Sequence, residues 1–197
     1  MPLGETEILS RNPWVVRRKI SVAEYHRMGE VGILTPTDRV ELIEGEIVAM
    51  APIGSDHAGT SNWLNRALVI AVGNDGVVAV GNPVRLDNWS EPQPDFTVLR
   101  YRPDSYRGGT PQPEDVLLAI EVSMSRLRFD RSVKATLYAS HGIAEYWIVD
   151  IAARSVEVYR DPAPEGYRSV AVLKDGEVLQ PNTLPNVSIT VSELMGT

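Results

Sequence analysis

The sequence predicts an α/β (α+β) protein built on one mixed central sheet flanked by helices, with additional antiparallel strands toward the C-terminus. Three observations predict it. Trp63, Leu64, Ala67, Leu68 and Ala71 recur at three-and-four spacing, which gives an amphipathic helix one buried stripe. Val116–Ile120 is apolar at five consecutive positions, so that strand is covered on both faces and sits centrally. After residue 143 come short apolar runs split by turn residues, a succession of strands. Helices mixed with strands and then a run of strands mark a layered sheet-and-helix domain.

The elements follow in order. Residues 1–20 read as an irregular arm whose basic cluster Arg17-Arg18-Lys19 precedes the first helix signal, and 21–197 as a single domain. Ser21 and Glu24 stand three apart, a capping-box spacing that opens a short helix through Met28. Val40–Met50 reads as a hairpin turning at Glu44-Gly45. Ser55 or Asp56 caps the next helix, which runs to Val72 and stops at Gly73-Asn74. Val77–Val80 and Asp95–Leu99 are strands, and 100–114, rich in Gly, Pro and charge, is an exposed loop. Asp115–Ser123 is the central strand. Asp130 or Ser132 then caps a helix through His141, ended by Gly142. Ala144–Asp150, Ser155–Arg160, Gly166–Leu173 and Glu177–Gln180 complete the strands.

Composition narrows the chemistry. The 197 residues carry 19 Lys+Arg against 26 Asp+Glu, a net charge of −7, with 43% hydrophobic residues. That is ordinary globular composition, enough for a sizeable core. Zero cysteines exclude disulfides, thiolate metal sites and a Cys nucleophile, and 3 His disfavour a zinc site built from several of them. No apolar run is long enough to span a bilayer and no signal segment opens the chain, so a soluble cytoplasmic protein is expected. The acidic balance argues against a loosely specific nucleic-acid coat, but leaves room for an enzyme with one basic patch.

Three charged residues stand where burial is expected. Glu121 follows the apolar run and by alternation shares a face with Leu117 and Ala119. A carboxylate there needs a cation, a metal or several donors, unless the strand end has reached solvent. Asp95 follows Pro94 at a strand entry, a fixed position that also suits a turn. Lys134 falls inside the arc of about 140° holding Val133, Leu137, His141 and Tyr138. It either snorkels to water or aims its ammonium at buried acids. Two acids on neighbouring strands and one inward lysine account for each other's charge. Converging carboxylates favour a hard divalent cation, Mg²⁺ with Mn²⁺ as its substitute, and suit phosphodiester hydrolysis without thiol, His pair or organic cofactor.

These residues carry a resemblance. Pro94-Asp95, Glu121-Val122-Ser123, Asp130…Lys134…Tyr138 and Glu145-Tyr146-Trp147-Ile148-Val149-Asp150 resemble the Uma restriction-endonuclease family, within the PD-(D/E)XK nuclease superfamily. Glu41-Leu42-Ile43-Glu44-Gly45-Glu46-Ile47, with His57 downstream, resembles its N-terminal part. The resemblance spans roughly 21–160. It implies a restriction-endonuclease-like sheet and a Mg²⁺-dependent nuclease site with Asp95, Glu121 and the Val122 carbonyl as metal ligands. The superfamily places Lys two residues after the second acid, where this chain has Ser123, and Lys134 from the following helix takes its place. Glu46 is a candidate further acid reached through water, or a hairpin Glu in solvent. His57, in the first turn of its helix, is a supporting residue or a satisfied core-edge histidine whose imidazolium the helix dipole disfavours.

Arg126, Arg128, Arg131 and Lys134 against Asp130 make a local basic stretch that can hold DNA phosphates or simply be a solvated helix start. Arg100, Arg102 and Arg107 extend it if the fold brings them close. Duplex cleavage suits a twofold homodimer. The competing readings are a nuclease-like fold kept as a nucleic-acid- or protein-binding module without hydrolysis, and a small-molecule phosphodiesterase using the same metal.

Overall fold

The structure, a computed structural model, describes residues 14–196. The reading of residues 1–13 as an irregular arm lies outside them, while 15–20 carry neither helix nor strand. Ser21 caps helix α1 (Val22–Glu30) and its capping box is complete, with the Ser21 side chain accepting from the Glu24 N–H and Glu24 accepting from the Ser21 N–H. Strands β1 (Val40–Ile43) and β2 (Glu46–Ala49) pair antiparallel through a two-residue turn. Glu44 (φ 51°) and Gly45 (φ 82°) are both left-handed there, as a hairpin matching strand twist requires. A Cβ on Gly45 would lie 2.6 Å from the Lys19 Cβ. Gly45→Ala is therefore expected to cost roughly 1–2 kcal/mol or more, measured as a drop in urea midpoint; an unchanged midpoint would show that the arm gives way freely.

Helix α2 (Ser55–Val72) starts after Gly54, which takes the cap position expected of Ser55 or Asp56, and ends at Gly73. Leu64, Leu68 and Val72 form its buried stripe. The main sheet has six strands in the order β3 (Gly76–Val80), β4 (Phe96–Arg100), β5 (Val116–Ser123), β6 (Glu145–Asp150), β7 (Ser155–Ala163) and β8 (Gly166–Lys174). Only β5 and β6 run parallel, so the sheet is mixed. All eight residues of β5 are buried, as its apolar run requires of a central strand.

One side of the sheet packs under α2 and the C-terminal segment, through Phe96, Val98, Leu118, Ile120, Trp147 and Val149. The other packs under a composite helix α3, residues 127–140, through Ala119, Tyr146 and Ile148. Leu117 does not share the face of Glu121 and Ala119 as alternation predicts. Val98 pairs with Leu118 and Leu99 with Val116, so Leu117 is the extra residue of a bulge and packs on the α2 side.

Helix α3 also differs from expectation. It begins at Leu127 after Arg126, and its middle, Asp130–Lys134, is a π turn between α-helical Leu127–Phe129 and Ala135–Ser140. Asp130 is thus not a cap but a buried residue inside the helix. The last expected strand shrinks to β9 (Val178–Leu179). It pairs with β10 (Ile189–Thr190) away from the main sheet, and α4 (Val191–Leu194) follows. This small layer covers the sheet, placing Leu179, Ile189, Val191 and Leu194 in the core. Among the described residues no helix is long and apolar enough to cross a membrane.

Candidate functional site

The site forms where β4 begins and β5 ends. Phe96 pairs with Ile120, so the same register carried one step further sets Asp95 opposite Glu121. Because β4 starts at Phe96, the Val122 N–H donates to Asp95 Oδ2 at 2.8 Å. Asp95 is locked over the strand end by that bond, and Gly81 N–H holds its carbonyl at 2.9 Å. Glu121 faces α3. Its Oε1 accepts from Lys134 Nζ at 2.8 Å and from the Tyr138 hydroxyl at 3.1 Å. Lys134, the last residue of the π turn, and Tyr138 are four apart with α-helical residues between them, and so share a helix face. The lysine is 3% exposed: its ammonium does not snorkel.

Sequence reasoning misses the residue on the lysine's other side. Glu41 on β1 is 2% exposed, and its Oε2 lies 2.8 Å from Lys134 Nζ and accepts from the Gln93 N–H at 3.1 Å. Glu46, the hairpin acid singled out from sequence, is exposed, pairs with Arg17 at 3.0 Å and does not line the site. Alternation does not choose between them: Glu46 pairs with Ile43, which lies two residues from Glu41, so both acids share one face of the hairpin and only their distant contacts tell them apart.

Burial pushes the Glu121 carboxyl up to about 8; Lys134 pulls it down, and Asp95, Asp130 and Glu41 add to the rise. Burial also works against the Lys134 charge, yet Glu121 and Glu41 together hold it above its ordinary value, so it remains an ammonium. Tyr138 is raised well above its ordinary value by burial and stays a hydroxyl donor. Asp130 is raised, again by burial. The nearby Ser123 hydroxyl offsets part of that but is buried without a well-formed hydrogen bond.

His57 Nε2 lies 3.2 Å from Asp95 Oδ2, and its Nδ1 is 3.4 Å from Ser61 Oγ. Here the expectation from the helix dipole is reversed: the bond to Asp95 raises its pKa, more than burial lowers it.

Glu41, His57, Asp95, Glu121, Asp130 and Lys134 line one cavity of about 250 Å³. Of the three arginines expected to hold phosphates, only Arg126 borders it, lying 4.2 Å over the Phe129 ring and donating to the Ala49 carbonyl at 2.6 Å. Arg128 is exposed. Arg131 is spent elsewhere: its Nε donates to Glu157 at 2.8 Å and Asp150 lies 3.7 Å away. Arg100 and Arg107 border other cavities, and Arg102 pairs with Asp104, so that loop does not extend the basic stretch. Among the described residues no three His, Asp or Glu side chains already converge as a metal cage. The oxygen donors present, Asp95, Glu121 and the Val122 backbone, fit a hard divalent cation that keeps several of its waters.

A mixed sheet between helices, with two acids at adjoining strand ends and a lysine from the next helix, defines a restriction-endonuclease-like fold. The family model for Uma2, described as "Putative restriction endonuclease", matches residues 22–192, and the chain belongs to that family. A nuclease-like structure from Anabaena variabilis ATCC 29413, titled a putative nuclease belonging to DUF820, superposes with a TM-score of 0.69 at 17% identity, covering 89% of this chain and 97% of that one. Among curated proteins none matches the chain.

Proposed function

We propose that the protein is a cytoplasmic, divalent-metal-dependent DNA endonuclease, with Asp95, Glu121 and Lys134 at the reacting centre. One observation carries the reading: a buried lysine from the following helix reaches the carboxylate that stands beside Asp95. Asp95, Glu121 and the Val122 carbonyl would hold Mg²⁺, or Mn²⁺ in its stead. Such an ion neutralises phosphoryl charge, acidifies water and orients an in-line displacement. Lys134, held as an ammonium between Glu41 and Glu121, acts as a cation against the charge that develops on phosphorus oxygens. Glu41 positions that ammonium, and Tyr138 fixes the rotamer of Glu121. Arg126 offers a phosphate contact at the cavity edge.

A specific feature favours the competing module without hydrolysis: the Lys134 ammonium is already engaged by both Glu41 and Glu121. Incubating plasmid and single-stranded DNA with the protein in Mn²⁺, Mg²⁺ or chelator separates the two. Cleavage in metal alone is expected; binding that ignores metal, with no cut product, would establish the module. The twofold dimer we propose is supported by the edge strand β8, where Val170 and Val172 are each 52% exposed.

A further inference from the structure

A second cavity, of about 520 Å³, adjoins the acid-lined one and shares Arg39, Met50, Ile53, His57 and Asp95 with it. We propose that this second cavity seats one unpaired nucleotide next to the phosphate to be cut, with Arg39 gripping the phosphate between the two cavities and Asn62 reading the base. The proposal rests on the nuclease reading and specifies its substrate.

Covalent connectivity makes the first argument. Whatever phosphodiester is presented to Asp95, its neighbouring sugar and base must lie immediately beside it, and the second cavity is immediately beside Asp95. Its volume is that of an ordinary small-molecule site. A concave seat of this kind accepts a base taken out of the stack and not a base held within a duplex.

The lining makes the second. Pro36, Ile53 and Val80 supply apolar wall, the last two exposed and hence available to the face of a base. Asn62 and Gln93 supply amides. Gln93 is engaged, its Nε2 donating to the Val40 carbonyl at 3.4 Å. Asn62 is exposed, and its side chain has no hydrogen-bond partner among the described residues. An amide with free donor and acceptor matches the paired groups on a base edge.

Charge makes the third. In a chain of net charge −7, cations that are not neutralised mark where anions are expected. Arg39 stands on the wall common to both cavities, close enough to oppose protonation of His57, and its side chain makes no hydrogen bond or ion pair among the described residues. Arg66 lies one helical turn beyond Asn62 on the same face of α2, exposed and equally unpaired among the described residues. Arg126 at the acid cavity and Arg39 on the shared wall thus offer cations to neighbouring phosphates of one strand, and Arg66 offers another one helical turn beyond Asn62 along α2.

The test is fluorescence anisotropy with short labelled single-stranded oligo(dA), oligo(dC), oligo(dG) and oligo(dT), and with an annealed duplex, in chelator so that nothing is cut. The wild-type protein is expected to bind single strands more tightly than duplex and to rank the four bases. Arg39→Ala weakens all four roughly tenfold and flattens the salt dependence. Asn62→Ala removes the ranking, with a roughly tenfold loss for the preferred base alone. Both side chains are exposed and unpaired among the described residues, so thermal unfolding of the variants should match wild type, and a shared loss of stability would be seen directly. Binding in which Asn62→Ala keeps the ranking, or in which duplex binds more tightly, overturns the nucleotide seat and leaves the nuclease reading intact. No binding to any oligonucleotide overturns the nucleotide seat as well, and the nuclease reading then stands or falls separately on cleavage in Mn²⁺ or Mg²⁺.

Discussion

Lys134→Met is expected to lower unfolding stability above pH 8 by about 3–5 kcal/mol, the cost of leaving buried charge without its partner. The methionine keeps the volume of the stem, so the loss is electrostatic and not a cavity. What remains is Glu41 and Glu121, 2% and 6% exposed, facing each other with no cation between them. The sign of the pH dependence follows. Glu121 already sits at about 8 in the folded protein, against 4.5 for an ordinary glutamate, and without the ammonium it rises further. A carboxyl raised on folding contributes stability below its unfolded pKa, and that contribution is lost as pH rises through the folded value. The variant's deficit should therefore stay level well below pH 8 and grow as pH rises through 8 and above it, where wild-type Glu121 ionises beside the ammonium and the variant's does not. Urea titrations at several pH values measure it. Adding Glu41→Gln to Lys134→Met should recover part of the deficit, because the two residues share one interaction. A deficit that does not change with pH would refute the buried triad.

Asp95→Asn and Glu121→Gln are expected to reduce metal-dependent DNA cleavage by at least on the order of 10²–10³-fold, the scale for removing one group that acts on transition-state charge. Both replacements keep size and hydrogen-bonding reach. The amide oxygen introduced by Asp95→Asn can still accept from the Val122 N–H, and that introduced by Glu121→Gln from the Tyr138 hydroxyl. Circular dichroism and thermal unfolding should therefore show a folded protein. Glu121→Gln also carries a pH signature. Because the wild-type carboxyl sits at about 8, divalent metal must displace a proton from it, and wild-type metal affinity rises with pH up to that value. The Gln variant lacks this rise. Cleavage that persists undiminished in both variants would remove Asp95 and Glu121 from the chemistry.

Local signals make much of the fold legible. Ser21 and Glu24 set α1, Glu44-Gly45 set the hairpin, and the run from Val116 sets the central strand, because each depends on neighbours within a few residues. Periodicity places Lys134 inward, and the structure buries it. Distant partners hide the rest. Nothing near Leu117 announces a bulge, since the extra residue is defined by Val98 and Leu99 on another strand. Asp130 looks like a cap because acids commonly cap, and only the π turn and the packing of α3 reveal it as buried. Glu41 is one of three acids in a short hairpin, and the choice between it and Glu46 rests on contacts with Gln93 and Lys134, far away in sequence. Arg131 looks available to phosphate because its partner Glu157 lies 26 residues on. Arg39 escapes notice for the opposite reason: an isolated arginine in a turn-rich stretch carries no pattern, and only the cavities on either side of it make it conspicuous.

Anomalous scattering from a crystal soaked in excess Mn²⁺ addresses the nuclease reading most directly. High concentration compensates for the weak binding of a metal whose coordination no substrate phosphate completes. The predicted result is a peak between the Asp95 and Glu121 carboxylates, next to Val122, with Lys134 still against Glu121. The contradicting result is no peak at saturating Mn²⁺, with Asp95 still bonded to His57 and Val122 and Glu121 still closed by Lys134 and Tyr138.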